Sequence, residues 1–247
     1  MIAKIEMNEA QTREMVERLL EEFDTDFNSP LVEELREKFP RYVALYTPFI
    51  YKPDIVIRGI NPSWFIGKEP ISDEDKKKED YRVTSLKGLH QVNAYQEYYE
   101  PKYHRYVEDE INSAMGEEFL KTKVMGWNNC FIQSGGQQGM TDLTNSAKDI
   151  DRKNNTSHCM DLINKSLWIA KKLEQIIQPR LTIYAGREAG WSSRWNNKIF
   201  PTLESMRKKP KPTSWGGQAI VVKHFSYPDV HRQAEIVSEI INCEISN

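Results

Sequence analysis

The chain has little cysteine, no long apolar run and no excess of charge of one sign. Its three cysteines, Cys130, Cys159 and Cys243, are odd in number, far apart and without a C-x-x-C pair. A disulfide framework is therefore not expected, and neither is a zinc or iron–sulfur site built on cysteine. No stretch approaches the roughly 20 apolar residues that a membrane-spanning helix needs. Basic residues number 34 and acidic residues 36, for a net charge of -2. That balance tells against a protein coated for polyanions, although a local basic face would suffice for one. The chain also lacks G-x-S-x-G, G-x-G-x-x-G and the P-loop, the marks of a small-molecule enzyme of hydrolase or flavodoxin-like type.

What is present suits a soluble, globular protein. A length of 247 residues allows one large domain or two small ones and can bury a sizeable core. The apolar fraction is 39%, the charged fraction 28% and the mean hydropathy -0.66. The opening MIAKIEMNEAQTREM has no apolar core of the secretory kind. Cytoplasmic residence is the expectation, with no membrane association.

Apolar periodicity predicts a helix over 8–23, with Met15, Val16, Leu19, Leu20 and Phe23 on one face and Asn8 as its cap. A break at 24–30 and a short helix over 31–39 follow. These residues, 1–41, are expected to form a helical extension packed on a main domain at 42–247. Residues 42–49 read as extended, and 54–60 as a strand centred on Ile55-Val56-Ile57. The charged run within 67–81 reads as a solvated loop. Residues 86–120, rich in tyrosine, read as helix in two pieces. Residues 123–134 read as a second strand, Gly135–Gly139 as a glycine-rich loop and 141–157 as a polar loop. The clearest helix is 158–177, stopped by Pro179. Strands are expected at 181–185 and 219–223, with helices starting near 188 and at 229–241. The stretch 206–212, MRKKPKP, reads as a basic loop. The alternation of strand and helix predicts an α/β fold: a three-layer α/β/α sandwich around a central, mostly parallel four-stranded sheet.

Parallel strands bring their carboxyl ends to one rim, where ligands bind in open α/β sheets. The ends predicted here carry Asn61, then Asn128 or Asn129, then Gly186, then His224. Taken singly each has an ordinary reading. Asn61-Pro62 can be no more than a strand-ending turn, and a lone histidine after a strand is more often structural than catalytic. Neighbouring strand residues point to opposite faces, so only one of Asn128 and Asn129 faces any one pocket.

In this order the motifs resemble the uracil-DNA glycosylase superfamily. Gly59-Ile60-Asn61-Pro62 is similar to its first motif in the Asn-Pro form of the mismatch-specific and single-strand-selective branches, with Phe65 three residues after the proline. Trp127-Asn128-Asn129-Cys130 resembles the strand whose asparagine reads the base, and the spacing to Cys130 favours Asn128. His224-Phe225-Ser226-Tyr227-Pro228 resembles the closing His-Pro-Ser-Pro motif. The likeness covers 42–243. Ser63-Trp64 replaces the glycine usual after the first motif, and Phe225 replaces a proline of the last.

The resemblance implies an N-glycosylase acting on uracil or another altered base in single- or double-stranded DNA, without metal or cofactor. Asn61 would position the attacking water and His224 would stabilise the leaving base. Asn128 would bind the base by its pairing edge, and Phe65 or Trp64 would stack on it. Ser226, Lys208 and Lys209 would meet the DNA backbone. The alternative is a non-catalytic module on the same fold that binds a nucleobase, a nucleotide or a protein.

Overall fold

The computed structural model describes residues 8–39, 50, 52–59, 112–128, 130–132, 136–185 and 211–222. Within them the expected alternation of strand and helix is present. Helix α1 spans Glu9–Phe27, a 3-10 turn Pro30–Val32 leads into α2 at Glu33–Lys38, and β1 spans Ile55–Gly59. After α3 at Glu117–Lys123 come β2 at Val124–Asn128, α4 at Gly136–Asn154 and α5 at His158–Ile177. Strands β3 at Leu181–Ala185, β4 at Lys211–Pro212 and β5 at Gln218–Val222 complete the sheet. The expectations for 42–49, 67–81, 86–111, 188–198 and 229–241 lie outside the described residues.

The sheet order is β2-β1-β3-β5-β4. Strands β2, β1, β3 and β5 are mutually parallel, as the sequence predicts, and β4 is antiparallel to β5. Lys211–Pro212 was expected within a basic loop and instead forms this short fifth strand. An outermost position is where a proline fits a sheet, because its missing N–H spoils no inner ladder. The turn from β4 to β5 closes with a bond from the Thr213 amide to the Gly217 carbonyl at 2.8 Å, and Gly216 sits at φ 89°. Gly217 lies so close to the end of α5 that a Cβ there would stand 2.3 Å from the Pro179 carbonyl oxygen.

Strand β1 is buried on both faces, which explains its unbroken β-branched run. Val56 and Met125, paired in register, belong to the core shared with α1, α4 and α5. Ile55 and Ile57 point the other way and are buried as well. Helix α1 lies against α5, where Lys165 reaches Asp26 at 2.6 Å, and against the segment after β2, where Phe23 packs edge-on to Phe131 with ring centroids 5.3 Å apart. Asn8 caps α1 as expected, in a reciprocal capping box with Gln11.

Three segments depart from the sequence reading. Helix α1 runs to Phe27, into the predicted break, because Phe27 follows Phe23 by one turn and is buried beside it. Strand β2 ends at Asn128, well short of 134. Beyond it the Phe131 amide donates to Ser166 Oγ of α5 at 2.6 Å, so it is lost to any ladder. The largest correction is within 141–157, expected as a loop: Gly136–Asn154 is a helix of 19 residues, and only 155–157 are non-helical. Met140, Leu143, Ala147 and Ile150 are its buried stripe, at spacings of three and four. Gly136 and Gly139, read as part of a glycine-rich loop, lie in its first turn.

Helices α4 and α5 are joined by one carboxylate. Asp151 is 5% exposed. It accepts from the amides of Cys159 at 3.0 Å and Met160 at 2.9 Å, and from Thr156 Oγ1 at 3.2 Å. The α5 N-terminus has no side-chain cap from Ser157, so this acidic residue of the preceding helix satisfies the open amides and faces the positive end of the helix dipole.

Candidate functional site at the carboxyl rim

The four parallel strands end level with one another. Gly59 stands opposite Asn128, Arg58 opposite Tyr184, and Ala185 opposite Val222. From β1 the chain moves to β2 on one side, then crosses to β3 on the other. The topological switch point therefore lies between β1 and β3, the position at which open α/β sheets bind ligands. From β2 to β5 the rim spans three interstrand spacings, about 14 Å.

Directly beneath this switch point is a buried polar cluster. Arg58, next to last in β1, is 2% exposed, and Glu174 of α5 is 1% exposed. The Arg58 guanidinium forms an ion pair with the Glu174 carboxylate. The same carboxylate accepts from Thr182 Oγ1 at 2.8 Å and from Tyr184 OH at 2.8 Å. The Arg58 guanidinium carbon lies 5.3 Å from the centroid of the Tyr184 ring. Alternation along the strands explains the grouping, because Arg58, Thr182 and Tyr184 all face α5. Burial, and then the Glu174 charge, hold the Tyr184 phenol well above its ordinary value of 10.0. Lys171, one turn before Glu174, is drawn below its ordinary 10.5 by burial and then by its neighbour Lys172.

With both carboxylate oxygens engaged by donors, Glu174 is built to hold neighbours in place rather than to take a proton from a ligand. The segment leaving β2 is equally fixed: Cys130, Phe131 and Ile132 are all fully buried. Burial raises the Cys130 thiol from 9.0 to about 11. It stays protonated at neutral pH and is no nucleophile. Among the described residues no group of three or more His, Cys, Asp or Glu could hold a metal ion.

Of the residues singled out in the sequence, Asn128 is the last residue of β2, on the rim, with its side chain outside the description. Asn61, Trp64, Phe65, Lys208, Lys209, His224 and Ser226 lie outside the described residues. The sequence reading missed Arg58 and Glu174. The available signal was an arginine inside a β-branched strand and a glutamate on the apolar face of α5, each of which demands a buried partner. No family model matches the chain, and no curated protein matches it.

Proposed function

We propose that the protein is a DNA glycosylase-like enzyme of the cytoplasm, with the three-layer α/β/α arrangement of the uracil-DNA glycosylase type. It hydrolyses the N-glycosidic bond of uracil or another altered base. The observation that carries this reading is the level, parallel ending of β1, β2 and β5. Asn61 follows β1 by two residues, Asn128 ends β2, and His224 follows β5 by two residues. The reading is supported by the shared rim on which these strands end, about 14 Å across from β2 to β5.

In the proposed reaction Asn128 holds the base by its pairing edge, since an amide offers both an acceptor and donors. Phe65 or Trp64 stacks on the base. As the C1′–N bond breaks, the electron pair leaves with the base and positive charge develops on the sugar. His224 donates to the developing oxyanion of the base. Asn61 positions the water that adds to C1′, contributing orientation and no proton abstraction; the water's proton is lost to solvent, from which the released base anion is reprotonated. Lys208, Lys209 and Ser226 contact the backbone of the DNA strand, and affinity therefore falls with salt. The reaction draws on no metal or cofactor.

The test is incubation of the purified protein with uracil-containing single- and double-stranded oligonucleotides, followed by alkali. Strand scission at the uracil, abolished by Asn61→Ala or His224→Ala, is the expected result. Absence of scission across uracil, hypoxanthine, xanthine and hydroxymethyluracil refutes base excision. A second reading, a non-catalytic binding module on the same scaffold, is favoured by Phe225 in place of the closing motif's proline and by the net charge of -2. It predicts binding to such oligonucleotides, to a nucleotide or to a protein, without base release.

A further inference from the structure

We propose that the Arg58–Glu174 pair, with Thr182 and Tyr184, is a positioning device. It holds the ends of β1 and β3 in one geometry at the switch point and adds little to net stability. As a positioning role for base excision it rests on the reading above; as a mechanical statement about the rim it does not.

Desolvating two opposite charges typically consumes what their attraction returns, so well-packed apolar residues at the same places are often as stabilising or more so. The surroundings here are apolar: Val56, Met125, Leu173 and Ile177 form the core on this face of the sheet. Apolar side chains would fit this neighbourhood, yet four polar ones sit together in it. Their placement is also not arbitrary. Arg58 and Tyr184 are register partners across the two strands that flank the switch point, each one residue before its strand end.

Direction separates this cluster from an apolar plug. An apolar contact tolerates sliding and rotation, whereas a carboxylate that accepts from three donors fixes angles as well as distances. Glu174 ties β1, through Arg58, to β3, through Thr182 and Tyr184, from a single point on α5. Sliding one strand against the other, or either against the helix, would break charge-assisted bonds in a dry setting where water cannot replace them. Gly59, the residue after Arg58, starts the segment that carries Asn61. A misplacement of about 1 Å at such a segment costs on the order of a hundredfold in rate.

The test replaces the cluster in full, as R58M/E174M/T182V/Y184F in the whole chain, and reads two quantities. The first is amide hydrogen exchange at 57–61 and 183–186 relative to the rest of the sheet, alongside global stability in urea. The expected result is rim exchange faster by about tenfold, with the urea midpoint near that of the unsubstituted protein. Unchanged rim exchange overturns the proposal, and so does an acceleration spread uniformly over the sheet. Should the fourfold variant fail to fold, T182V/Y184F keeps the ion pair and loses two of the donors. It is expected to accelerate rim exchange by about threefold, and no acceleration overturns the proposal equally. The second quantity is release of uracil from an oligonucleotide. A fall in kcat of about a hundredfold with KM little changed supports positioning of the reacting groups, and an unchanged kcat refutes it. An inactive unsubstituted protein refutes the base-excision reading alone, because the exchange measurement still decides the mechanical proposal.

Discussion

Replacing Glu174 by leucine should be among the most damaging single substitutions in this chain. The carboxylate it removes is 1% exposed and is the counter-ion of an arginine that is 2% exposed. Removing one partner of a buried ion pair typically costs about 3–5 kcal/mol, because the remaining charge keeps its desolvation penalty and loses its compensation. Thr182 and Tyr184 lose an acceptor at the same time, and a buried donor left without one costs about 1–3 kcal/mol. Relaxation at the rim would recover part of this, so a loss of about 4 kcal/mol is the expected net effect, a large share of a typical domain's 5–15 kcal/mol. The control is R58M/E174L, which removes both charges and should recover most of the ion-pair loss, leaving about 1–3 kcal/mol from the hydroxyl bonds lost at Thr182 and Tyr184. Urea unfolding followed by tryptophan fluorescence gives both values, provided the slope is unchanged. The loss in the single variant should hardly depend on salt, since buried pairs are poorly screened. By contrast Lys153→Ala, which removes an exposed 3.2 Å pair with Glu34, should cost no more than about 1 kcal/mol. A cost under about 1 kcal/mol for Glu174→Leu, or a double variant no more stable than the single one, refutes a buried ion pair of this kind.

Four further outcomes follow from the described residues. Asp151→Ala, which uncaps α5 and removes the link to α4, should lower stability by about 1–2 kcal/mol, with Asp151→Asn less harmful, as read by urea midpoints. Gly217→Ala forces a Cβ to 2.3 Å from the Pro179 carbonyl and should cost about 1–3 kcal/mol in the same assay; a neutral result would show that the β4–β5 turn yields freely. The Cys130 thiol rises from 9.0 to about 11 on folding, so the folded chain holds a proton that the unfolded chain has released between those values. Its contribution is complete below pH 9 and is lost as pH rises through about 11, by about 3 kcal/mol in all; Cys130→Ala should flatten this part of the stability profile. Asn8→Ala dismantles the capping box of α1 and should cost about 1 kcal/mol, visible as a lower thermal midpoint.

The strands were legible because each carries its own punctuation. Ile55-Val56-Ile57 and Leu181–Ala185 are short apolar runs bounded by glycine or proline, and such runs leave little choice between strand and helix at their length. Helix α5 was legible for the opposite reason, since its apolar face repeats over its full 20 residues. Helix α4 has the same periodicity in a much more polar setting. Met140, Leu143, Ala147 and Ile150 are separated by Thr, Asp, Asn, Ser and Lys, and two glycines in its first turn are poor helix formers. What makes it a helix is tertiary: a narrow buried stripe against α5, and an aspartate at its far end that caps its neighbour. Propensity favoured a loop there, and packing overrode it.

The polar cluster under the rim tests sequence reasoning differently, because its two charges are 116 residues apart. No local window can pair them. Each is visible alone as an inconsistency: a guanidinium in a strand that must be buried on both faces, and a carboxylate within the apolar stripe of a helix that covers that strand. An unpaired charge in either place would be too costly to keep, so each predicts a partner, and the two predictions satisfy one another. Thr182 and Tyr184 then follow from strand alternation, since they share the face that Arg58 presents to α5. The same logic separates this cluster from the exposed ion pairs of α1. Arg13–Glu17 and Arg18–Glu22 are four residues apart on a solvated face; they were predictable from spacing and are worth little. The pair that spacing could not predict is the one placed to decide how β1 and β3 meet beneath the rim.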